Sequence, residues 1–324
     1  MKAIVVYEPG GPDAMRLEER ILAEPAAGQA LIEVHASGVN FIDTYHRSGL
    51  YAIPERPFLL GVEGAGKVLA IGPDVTEVEP GERVAWCLDR GSYAEQALVS
   101  AARLVPLPDE IDYATAAQLL LQGMTAHYLT RSTYVLREGD CCLVHAAAGG
   151  TGTLIVQLAK IAGARVIGTV SNDKKAEQAK AAGCDEVINY RRQDFVAEVK
   201  RLTDGAGVHV VYDGVGKSTF EGSLETLRPR GMMVLFGQSS GPVPRFDPQI
   251  LNQRGSLFLT RPSLGHYLRT REELLARAGD LFRWRAEGRL QIFFDRSYRL
   301  EEAAVAHGDL EQRRSLGKLL LTIR

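Results

Sequence analysis

The sequence predicts an α/β protein in which a doubly wound parallel sheet of six strands is joined to a second, β-rich domain. Two observations support this fold class. Strand-like apolar runs alternate with helical patterns between about residues 141 and 260, which is typical of a parallel sheet with crossover helices. The first 120 or so residues instead show short apolar runs broken by glycine and proline, which indicates a compact β-rich unit.

The β-rich region is predicted to begin with a strand at residues 2–6. Further strands are predicted at residues 31–36, 64–72, 81–86 and 93–99. From Tyr113 the pattern is helical as far as Leu121, and a longer helix is expected from Gly123 to about Tyr134. That helix links the two domains.

The alternating region predicts the six strands of the parallel sheet. They fall at residues 141–144, 165–170, 186–190, 208–213, 232–237 and 256–260. Ligands bind such sheets at the carboxyl ends of the strands, near the switch in strand order. Residues 261–324 return to a helix at 272–287 and to short strands such as 318–323, so we expect them to complete the first domain.

A glycine-rich turn follows the first strand of the sheet and precedes a helical pattern. Ala146 stands where the first glycine of a G-x-G-x-x-G pattern is usual, and Gly149 and Gly152 follow. We expect both glycines to take backbone angles closed to other residues and to let the main chain approach a diphosphate. A plain loop between a buried strand and a buried helix gives the same pattern, but the surrounding alternation favours a nucleotide site.

Composition and charge exclude several classes of protein. The 38 basic and 40 acidic residues leave a net charge of -2 with no block of like charge, which suggests neither nucleic acid nor an anionic membrane as a partner. The early first strand leaves no room for a signal peptide, and no run of about 18 apolar residues is present, so we expect a cytoplasmic protein. The cysteines lack C-x-x-C spacing, and we expect reduced structural thiols at Cys87, Cys141, Cys142 and Cys184.

Four segments in this order resemble the medium-chain dehydrogenase/reductase superfamily, specifically its zinc-free, zeta-crystallin-like quinone oxidoreductase branch. They are residues 38–45, residues 61–66, the Pro-Gly-Glu-Arg-Val turn at 80–84, and the glycine-rich turn. The resemblance covers the whole chain. It implies a GroES-like catalytic domain at residues 1–123, completed by 261–324, and a Rossmann domain that binds NADP at residues 124–260.

The zinc ligands of related alcohol dehydrogenases are missing from this sequence. By the resemblance, the ligand positions hold Asn40, Val62 and Leu119, which cannot form a zinc site. The segment 86–93 also lacks the four cysteines of the structural zinc lobe. His46, Glu63 and Cys87 do not share a metal-ligand spacing, and we expect a surface histidine and a structural glutamate. The sequence therefore predicts no metal.

The end of the second strand of the sheet bears on the choice of dinucleotide. An NAD site usually places an acidic residue there, about 20 residues past the glycine turn. Here Ser171, Lys174 and Lys175 supply a hydroxyl and two ammonium groups, and Asp173 is expected to cap the following helix instead of binding ribose. The resemblance implies that Lys175 and Tyr190 contact the 2'-phosphate of NADPH, although Lys175 equally suits a solvated helix charge.

The resemblance implies a wider set of cofactor contacts. The full set expected for NADPH is Asn40, Thr125, Gly149, Gly150, Thr151, Gly152, Ser171, Lys175, Tyr190, Phe236, Gly237, Leu259, Thr260 and Arg261. The last five lie at later strand ends, where the nicotinamide half is expected.

The chemistry expected without zinc is hydride transfer to an acceptor that is already electrophilic, and a quinone fits this description. By resemblance, Asn40 and Tyr51 donate hydrogen bonds to the quinone oxygen that gains charge, and Tyr45 walls the pocket. Asn40 is also compatible with a plain turn residue, and either tyrosine with a packed aromatic. The proton can come from water, so a dedicated acid is not required.

Two other functions stay open. One is NADPH-dependent reduction of the double bond of an enone or 2-alkenal, which needs a proton donor such as Tyr51. The other is an NADPH-binding structural or RNA-binding protein, against which the balanced charge counts. The resemblance further implies a homodimer that forms through the nucleotide domain, by pairing of the edge strand at residues 256–260.

Overall fold

A computed structural model describes the whole chain, Met1–Arg324. Its strands are β1 Lys2–Val6, β2 Met15–Glu19, β3 Gln29–Val39, β4 Phe58–Leu59, β5 Glu63–Ile71, β6 Arg83–Cys87, β7 Gln96–Ser100, β8 Val105–Pro106, β9 Cys141–Val144, β10 Arg165–Val170, β11 Glu186–Asn189, β12 Val208–Asp213, β13 Leu227–Leu235, β14 Phe258–Thr260, β15 Phe294–Arg299 and β16 Lys318–Thr322. Its α-helices are α1 Phe41–Ser48, α2 Tyr113–Tyr128, α3 Gly150–Ile161, α4 Asp173–Ala181, α5 Phe195–Leu202, α6 Phe220–Thr226, α7 Gln249–Gln253, α8 Arg271–Ala286 and α9 Ala303–Glu311.

The chain divides into two compact units. Unit 1 comprises Met1–Met124, Leu268–Glu287 and Ile292–Arg324, and unit 2 comprises Thr125–Tyr267 and Gly288–Gln291. Helix α2 contains the first boundary between them. None of the helices is both long enough and apolar enough to cross a membrane.

Unit 2 contains the predicted parallel sheet of six strands, in the order β11-β10-β9-β12-β13-β14. All five strand pairings are parallel, so the carboxyl ends of the strands lie at one edge of the sheet. Both faces are covered: one apolar core includes Leu143, Ile167, Val211 and Met233, which are fully buried. Successive strands are added on one side of β9 as far as β11 and then on its other side from β12, and this switch in strand order confirms the doubly wound fold.

Unit 1 is the predicted β-rich region. Its largest sheet has seven strands, six of them in the order β15-β16-β3-β5-β6-β8, and β7 also pairs with β3. A separate sheet has the order β2-β1-β4. Strand β16, near the end of the chain, pairs antiparallel with β3, which places Leu319 opposite Val39. The C-terminal strand thereby reaches the segment that begins at Asn40.

Several predicted elements have different bounds in the structure. The two helices expected between Tyr113 and Tyr134 are one α-helix, α2, which continues as a π-helical turn at Leu129–Thr133. Gly123 lies inside this helix and does not interrupt it. A Cβ there would lie 2.9 Å from the Leu281 side chain, so packing explains the small residue at this position. Helices α1 and α9 were not predicted; for α1, the Asn40-x-x-Asp43 spacing is a capping signal that sequence reasoning missed.

Candidate active site

The glycine-rich turn of unit 2 has a different geometry from the one expected. Its left-handed residue is Ala146, with a φ of 52°, whereas Gly149 has a φ of -78° and is the N-cap of α3. The expectation that Gly149 and Gly152 take angles closed to other residues was therefore wrong. Gly152 is required for space, since a Cβ would lie 2.2 Å from the Ala146 carbonyl oxygen.

The start of α3 is suited to bind an anion. Gly150, Thr151 and Gly152 form its first turn, where backbone N–H groups have no partner within the helix. The N-cap Gly149 provides no side-chain acceptor, and no acidic residue lies in this turn. The N–H groups and the positive end of the helix dipole remain available for a phosphate group.

A buried chain of hydrogen bonds lies next to the glycine-rich turn. Ser223 Oγ donates to Asp213 Oδ2 at 3.1 Å, so it accepts from His145 Nε2 at 2.9 Å. The other ring nitrogen, His145 Nδ1, then accepts from the Thr169 hydroxyl at 2.9 Å. Burial lowers the pKa of His145, and the nearby Asp213 acts in the opposite direction. The neutral imidazole thus ties together the ends of β9, β10 and β12.

The end of β10 differs from the expectation in its cap. Asn172 is the N-cap of α4 and its Oδ1 accepts from the Lys175 backbone N–H at 2.9 Å. Asp173 is instead the first helical residue and pairs with Arg192 at 3.1 Å. The backbone N–H of Tyr190 donates to the Val170 carbonyl at 3.1 Å.

This arrangement brings three predicted phosphate contacts to one place in unit 2. Ser171 follows β10 directly, Lys175 lies in the first turn of α4, and Tyr190 follows β11 with 39% of its surface exposed. The one acidic residue nearby, Asp173, already has a cationic partner. Nothing at the end of β10 therefore repels a second phosphate.

The remaining predicted cofactor residues in unit 2 lie at other strand and helix positions. Phe236 and Gly237 follow β13, and both backbone N–H groups donate to the Asp213 carbonyl, at 2.9 and 3.4 Å. Leu259 and Thr260 belong to β14, and Arg261 follows it. Thr125 lies in α2. Phe236 packs over Gly214, where a Cβ would lie 2.8 Å from the ring.

In unit 1, Asn40 lies directly before α1 and is nearly buried, with 3% of its surface exposed. Its Nδ2 donates to Glu63 Oε2 at 2.8 Å and to the Gly38 carbonyl at 3.2 Å. Its Oδ1 accepts from Lys318 Nζ at 2.8 Å and from Gln122 Nε2 at 3.0 Å. Both amide hydrogens are engaged within unit 1, so donation to a substrate requires one of these bonds to be exchanged.

Glu63 and Lys318 form a buried ion pair beside Asn40. Their side chains are 0% and 1% exposed, and Lys318 Nζ lies 2.7 Å from Glu63 Oε2. Glu63 Oε1 accepts from the Leu121 backbone N–H at 2.7 Å, which supports the predicted structural role of this glutamate. Lys318 was missed: it was interpreted as part of a strand, and its only signal is a lone charge at the start of an apolar run.

Tyr45 and Tyr51 lie together in unit 1. Their ring centroids are 5.1 Å apart in an edge-to-face arrangement, and the Tyr51 backbone N–H donates to the Tyr45 carbonyl at 3.0 Å. Both rings are half-buried. The structure therefore brings these two predicted residues together, on and just after the helix that Asn40 precedes.

A second buried chain of hydrogen bonds lies in unit 1. Arg47 can only donate, so His307 Nδ1 accepts from it at 3.2 Å and the neutral ring carries its hydrogen on Nε2. His307 Nε2 then donates to the Tyr93 hydroxyl at 3.1 Å, and Tyr93 donates to Asp43 Oδ2 at 3.2 Å. Asp43 Oδ2 also accepts from the Asn40 backbone N–H at 2.8 Å. The donors all point toward this carboxylate.

Burial shifts the pKa values of two members of that chain, Asp43 and His307. Full burial raises the pKa of Asp43 to about 7, against the opposing effects of the Asn40 N–H and Lys318. Burial, with Arg47 nearby, lowers the pKa of His307 to about 3. Asp43 Oδ1 is buried without a hydrogen-bond partner. His307 is therefore neutral near pH 7, and Asp43 titrates there.

The positions expected to have lost zinc ligands are occupied by packed or engaged side chains. Val62 and Leu119 are buried apolar residues, with 1% and 0% exposed. No group of three or more His, Cys, Asp or Glu side chains is arranged to hold a metal ion. His46 was expected at the surface, but burial and the nearby Arg90 lower its pKa to about 4. The residues present do not fit a zinc ion.

Two family models match the chain, one within unit 1 and one that covers most of unit 2 and the start of helix α8. The "Alcohol dehydrogenase GroES-like domain" model matches residues 26–109, and the "Zinc-binding dehydrogenase" model matches residues 150–278. The GroES-like character predicted for the β-rich domain is thereby confirmed.

Individual relatives match over nearly the whole chain. A quinone oxidoreductase of Pseudomonas aeruginosa is 45% identical, with 96% of each chain covered. A 2-haloacrylate reductase of a Burkholderia species is 42% identical, with 98% of each covered. The crystal structure of Escherichia coli quinone oxidoreductase complexed with NADPH superposes with a TM-score of 0.97 at 42% identity, covering 100% of both chains.

Proposed function

The chain belongs to the zinc-free quinone oxidoreductase branch of the medium-chain dehydrogenase/reductase superfamily, and we propose that it transfers a hydride from NADPH to a quinone. The observation that carries this proposal is the near-complete match in fold and length to a quinone oxidoreductase complexed with NADPH. The reaction takes one quinone, one NADPH and one proton to hydroquinone and NADP⁺.

The residues of unit 2 fit NADPH. The uncapped first turn of α3 suits its diphosphate, through the N–H groups of Gly150, Thr151 and Gly152. Ser171, Lys175 and Tyr190 are proposed to bind the 2'-phosphate, because Asp173 is paired with Arg192 and does not oppose the charge.

The nicotinamide half is proposed to contact the residues at later strand ends. These are Phe236, Gly237, Leu259, Thr260 and Arg261, with Thr125 and Asn40 completing the set. When bound, NADPH supplies the hydride.

The residues of unit 1 are proposed to bind and orient the quinone. Hydride addition places negative charge on a quinone oxygen, which hydrogen-bond donors stabilise. Asn40 and Tyr51 are the proposed donors, and Tyr45 packs against Tyr51 and forms a wall. The hydroquinone anion takes its proton from water, so no residue has to serve as a general acid.

A second candidate function is reduction of an activated carbon–carbon double bond. The observation that favours it is the 42% identity to a 2-haloacrylate reductase over 98% of the chain. This reaction requires a proton donor aimed at the alpha carbon, and Tyr51 is the proposed donor.

Steady-state rates of NADPH oxidation test these functions. The acceptors are 1,4-benzoquinone, a cyclic enone, a 2-alkenal and 2-chloroacrylate, each at saturating NADPH. We expect the highest kcat/KM with the quinone. Higher values with the alkenes would favour the second candidate. Tight NADPH binding without turnover of any acceptor would instead favour a structural or RNA-binding role and contradict both enzymes.

Three further parts of the proposal concern organisation. We propose residues 1–123 with 261–324 as the catalytic domain and residues 124–260 as the cofactor domain. We also propose a cytoplasmic location, with no membrane or nucleic-acid partner. A homodimer is proposed to form through β14, the edge strand of the unit 2 sheet, which exposes 57% of Phe258.

A further inference from the structure

The chemistry of its neighbours fixes which way the Asn40 amide faces. An ammonium group can only donate and a carboxylate can only accept. Lys318 Nζ lies 2.8 Å from one end of the amide, and Glu63 Oε2 lies 2.8 Å from the other. Oδ1 must therefore face Lys318, and Nδ2 must face Glu63. The buried ion pair allows only this orientation.

The two amide hydrogens are held with different strengths. The first donates to a carboxylate at 2.8 Å, which is a short, charge-assisted bond. The second donates to the carbonyl of Gly38, two residues earlier, at 3.2 Å. The longer, uncharged bond is the weaker of the two. The hydrogen directed at Gly38 is therefore the one that a ligand oxygen can take over.

Lys318 also changes the donor strength of that hydrogen. Its positive charge lies on the oxygen side of the amide and is 1% exposed, so it is offset by Glu63, 2.7 Å away, and not screened by water. A cation at Oδ1 draws electron density away from the nitrogen and makes the N–H groups better donors, because linked hydrogen bonds polarise one another.

We propose that Lys318 is a positioning residue for quinone reduction, which orients and polarises the Asn40 amide so that its weakly held hydrogen meets the quinone oxygen gaining charge. This inference rests on the proposed function and deepens it. Glu63 holds the other hydrogen and balances the charge of Lys318.

The construction of the cluster supports a role beyond stability. A buried ion pair contributes little net stability, since apolar residues of similar volume often serve as well. Yet the backbone is shaped around this one: a Cβ on Gly38 would lie 2.1 Å from Glu63 Oε2 and 2.3 Å from the Ala117 carbonyl. Gln122 adds a second donor to the oxygen of the same amide. These contacts converge on a single neutral side chain that is proposed to touch the substrate.

The test removes both charges at once. Lys318→Met alone would leave Glu63 buried and unpaired, which destabilises the fold. The double variant Lys318→Met/Glu63→Gln avoids this. We expect its kcat with 1,4-benzoquinone to fall about 10- to 100-fold, as for loss of an oriented donor. KM and the NADPH dissociation constant, measured by fluorescence, are expected to stay within about 3-fold.

Two controls separate positioning from stability. Leu321→Ala removes a fully buried side chain on the same strand, β16, and should lower thermal stability without lowering kcat. In an Asn40→Ala background, the Lys318→Met/Glu63→Gln change should lower kcat no further, because Lys318 acts through that amide. If the Met variant does not fold, Lys318→Gln/Glu63→Gln retains hydrogen-bonding partners without charge and should show the same fall in kcat.

The outcomes distinguish this inference from the proposed function. A wild-type protein that reduces no quinone contradicts the function itself. If the wild type is active and the folded double variant keeps its kcat, the positioning role is overturned while the function stands. The positioning role is also overturned if Leu321→Ala lowers kcat as much as Lys318→Met/Glu63→Gln does. The same holds if the loss of kcat from Lys318→Met/Glu63→Gln adds fully to the loss from Asn40→Ala.

Discussion

A few side chains of unit 2 carry the proposed selectivity for NADPH over NADH. Asn172, and not Asp173, caps α4. Its side-chain Oδ1 accepts a hydrogen bond from the backbone N–H of Lys175 at 2.9 Å. Asp173 is paired with Arg192 at the surface, and this ion pair offsets its negative charge. The proposed quinone site depends in the same way on single groups, namely the hydroxyl of Tyr51 and the amide of Asn40.

Lys175→Ala tests the phosphate contact. A charge-assisted hydrogen bond contributes about 1.5 to 3 kcal/mol, so NADPH affinity should fall about 10-fold or more while NADH affinity hardly changes. Isothermal titration with both cofactors measures this. Lys180→Ala, at an exposed position in the last turn of the same helix, is the control and should change neither affinity. Equal losses for both cofactors with Lys175→Ala would show that Lys175 does not bind the phosphate.

Tyr51→Phe separates the two candidate reactions. A quinone reductase draws its proton from water and keeps Asn40 as a donor, so it should lose at most about 10-fold in kcat, whereas an alkene reductase that depends on the phenol as its acid should lose about 100-fold or more. Rates with 1,4-benzoquinone and with a 2-alkenal, measured on one preparation, decide between them. A loss of about 100-fold with the quinone as well would mean that Asn40 does not suffice as a donor and that the Tyr51 hydroxyl is essential for quinone reduction.

At the scale of elements, the turn between β9 and α3 is held by close backbone contacts. Ala146 takes a left-handed conformation, and its carbonyl accepts from the Gly149 N–H at 2.8 Å. The same carbonyl packs against Gly152, one turn into the helix. The shape of the glycine-rich turn therefore depends on the absence of a side chain at Gly152.

Gly152→Ala should destabilise the protein and weaken NADPH binding. Its Cβ would lie 2.2 Å from the Ala146 carbonyl oxygen, and relieving such a contact typically costs about 1 to 3 kcal/mol. The control is Gly279→Ala in α8, where a Cβ meets nothing within 4 Å, and which should stabilise the helix by about 0.5 to 1 kcal/mol. Urea unfolding and NADPH titration check both. An unchanged cofactor affinity in Gly152→Ala would contradict the importance of this turn.

For the molecule as a whole, buried titratable groups set the response to pH. Burial lowers the pKa of His307 to about 3 and of His46 to about 4, and it also lowers the pKa of His145. Below about pH 6.5 the unfolded chain takes up protons at these positions and the folded protein does not. Asp43 has the opposite effect between about pH 4 and 7, because its pKa is raised to about 7 and the folded state binds its proton.

The free energy of unfolding should therefore fall as pH is lowered from about 6.5 to 4.5, since four histidines with lowered pKa values, His209 included, outweigh two carboxyls with raised values, Asp43 and Asp89. Each unmatched proton contributes about 1.4 kcal/mol per pH unit. Urea unfolding at pH 6.5, 5.5 and 4.5 measures the slope. His307→Asn should reduce this slope, because an asparagine side chain does not titrate. If His307→Asn has the wild-type slope, His307 does not contribute to the pH dependence of stability.

The proposed dimer is tested at the edge of the unit 2 sheet. Phe258→Lys places a charge on β14 and should convert the protein to monomers in light scattering after gel filtration. Val305→Lys in α9 is the matched control, since Val305 and Phe258 both expose 57% of their surface. A wild-type monomer, or a dimer that survives Phe258→Lys, would rule out this interface.

The sequence by itself determined the classes of element and their order. Alternation of strand and helix patterns was sufficient for the six-stranded parallel sheet, because side-chain periodicity is a local property of the chain. The glycine-rich turn led to the prediction of a nucleotide site for the same reason. The resemblance supplied the positions of the zinc ligands in related enzymes, and the residue types at Asn40, Val62 and Leu119 then led to the expectation of no zinc site.

Only the tertiary structure decided what the side chains near Asn40 contact. Lys318 and Glu63 are 255 residues apart in the chain, and they meet because β16 pairs with β3 and β3 with β5. The same holds for Arg47 and His307, 260 residues apart. Local pattern carries no information about such pairs, because a buried charge is stable only when a distant partner is folded against it.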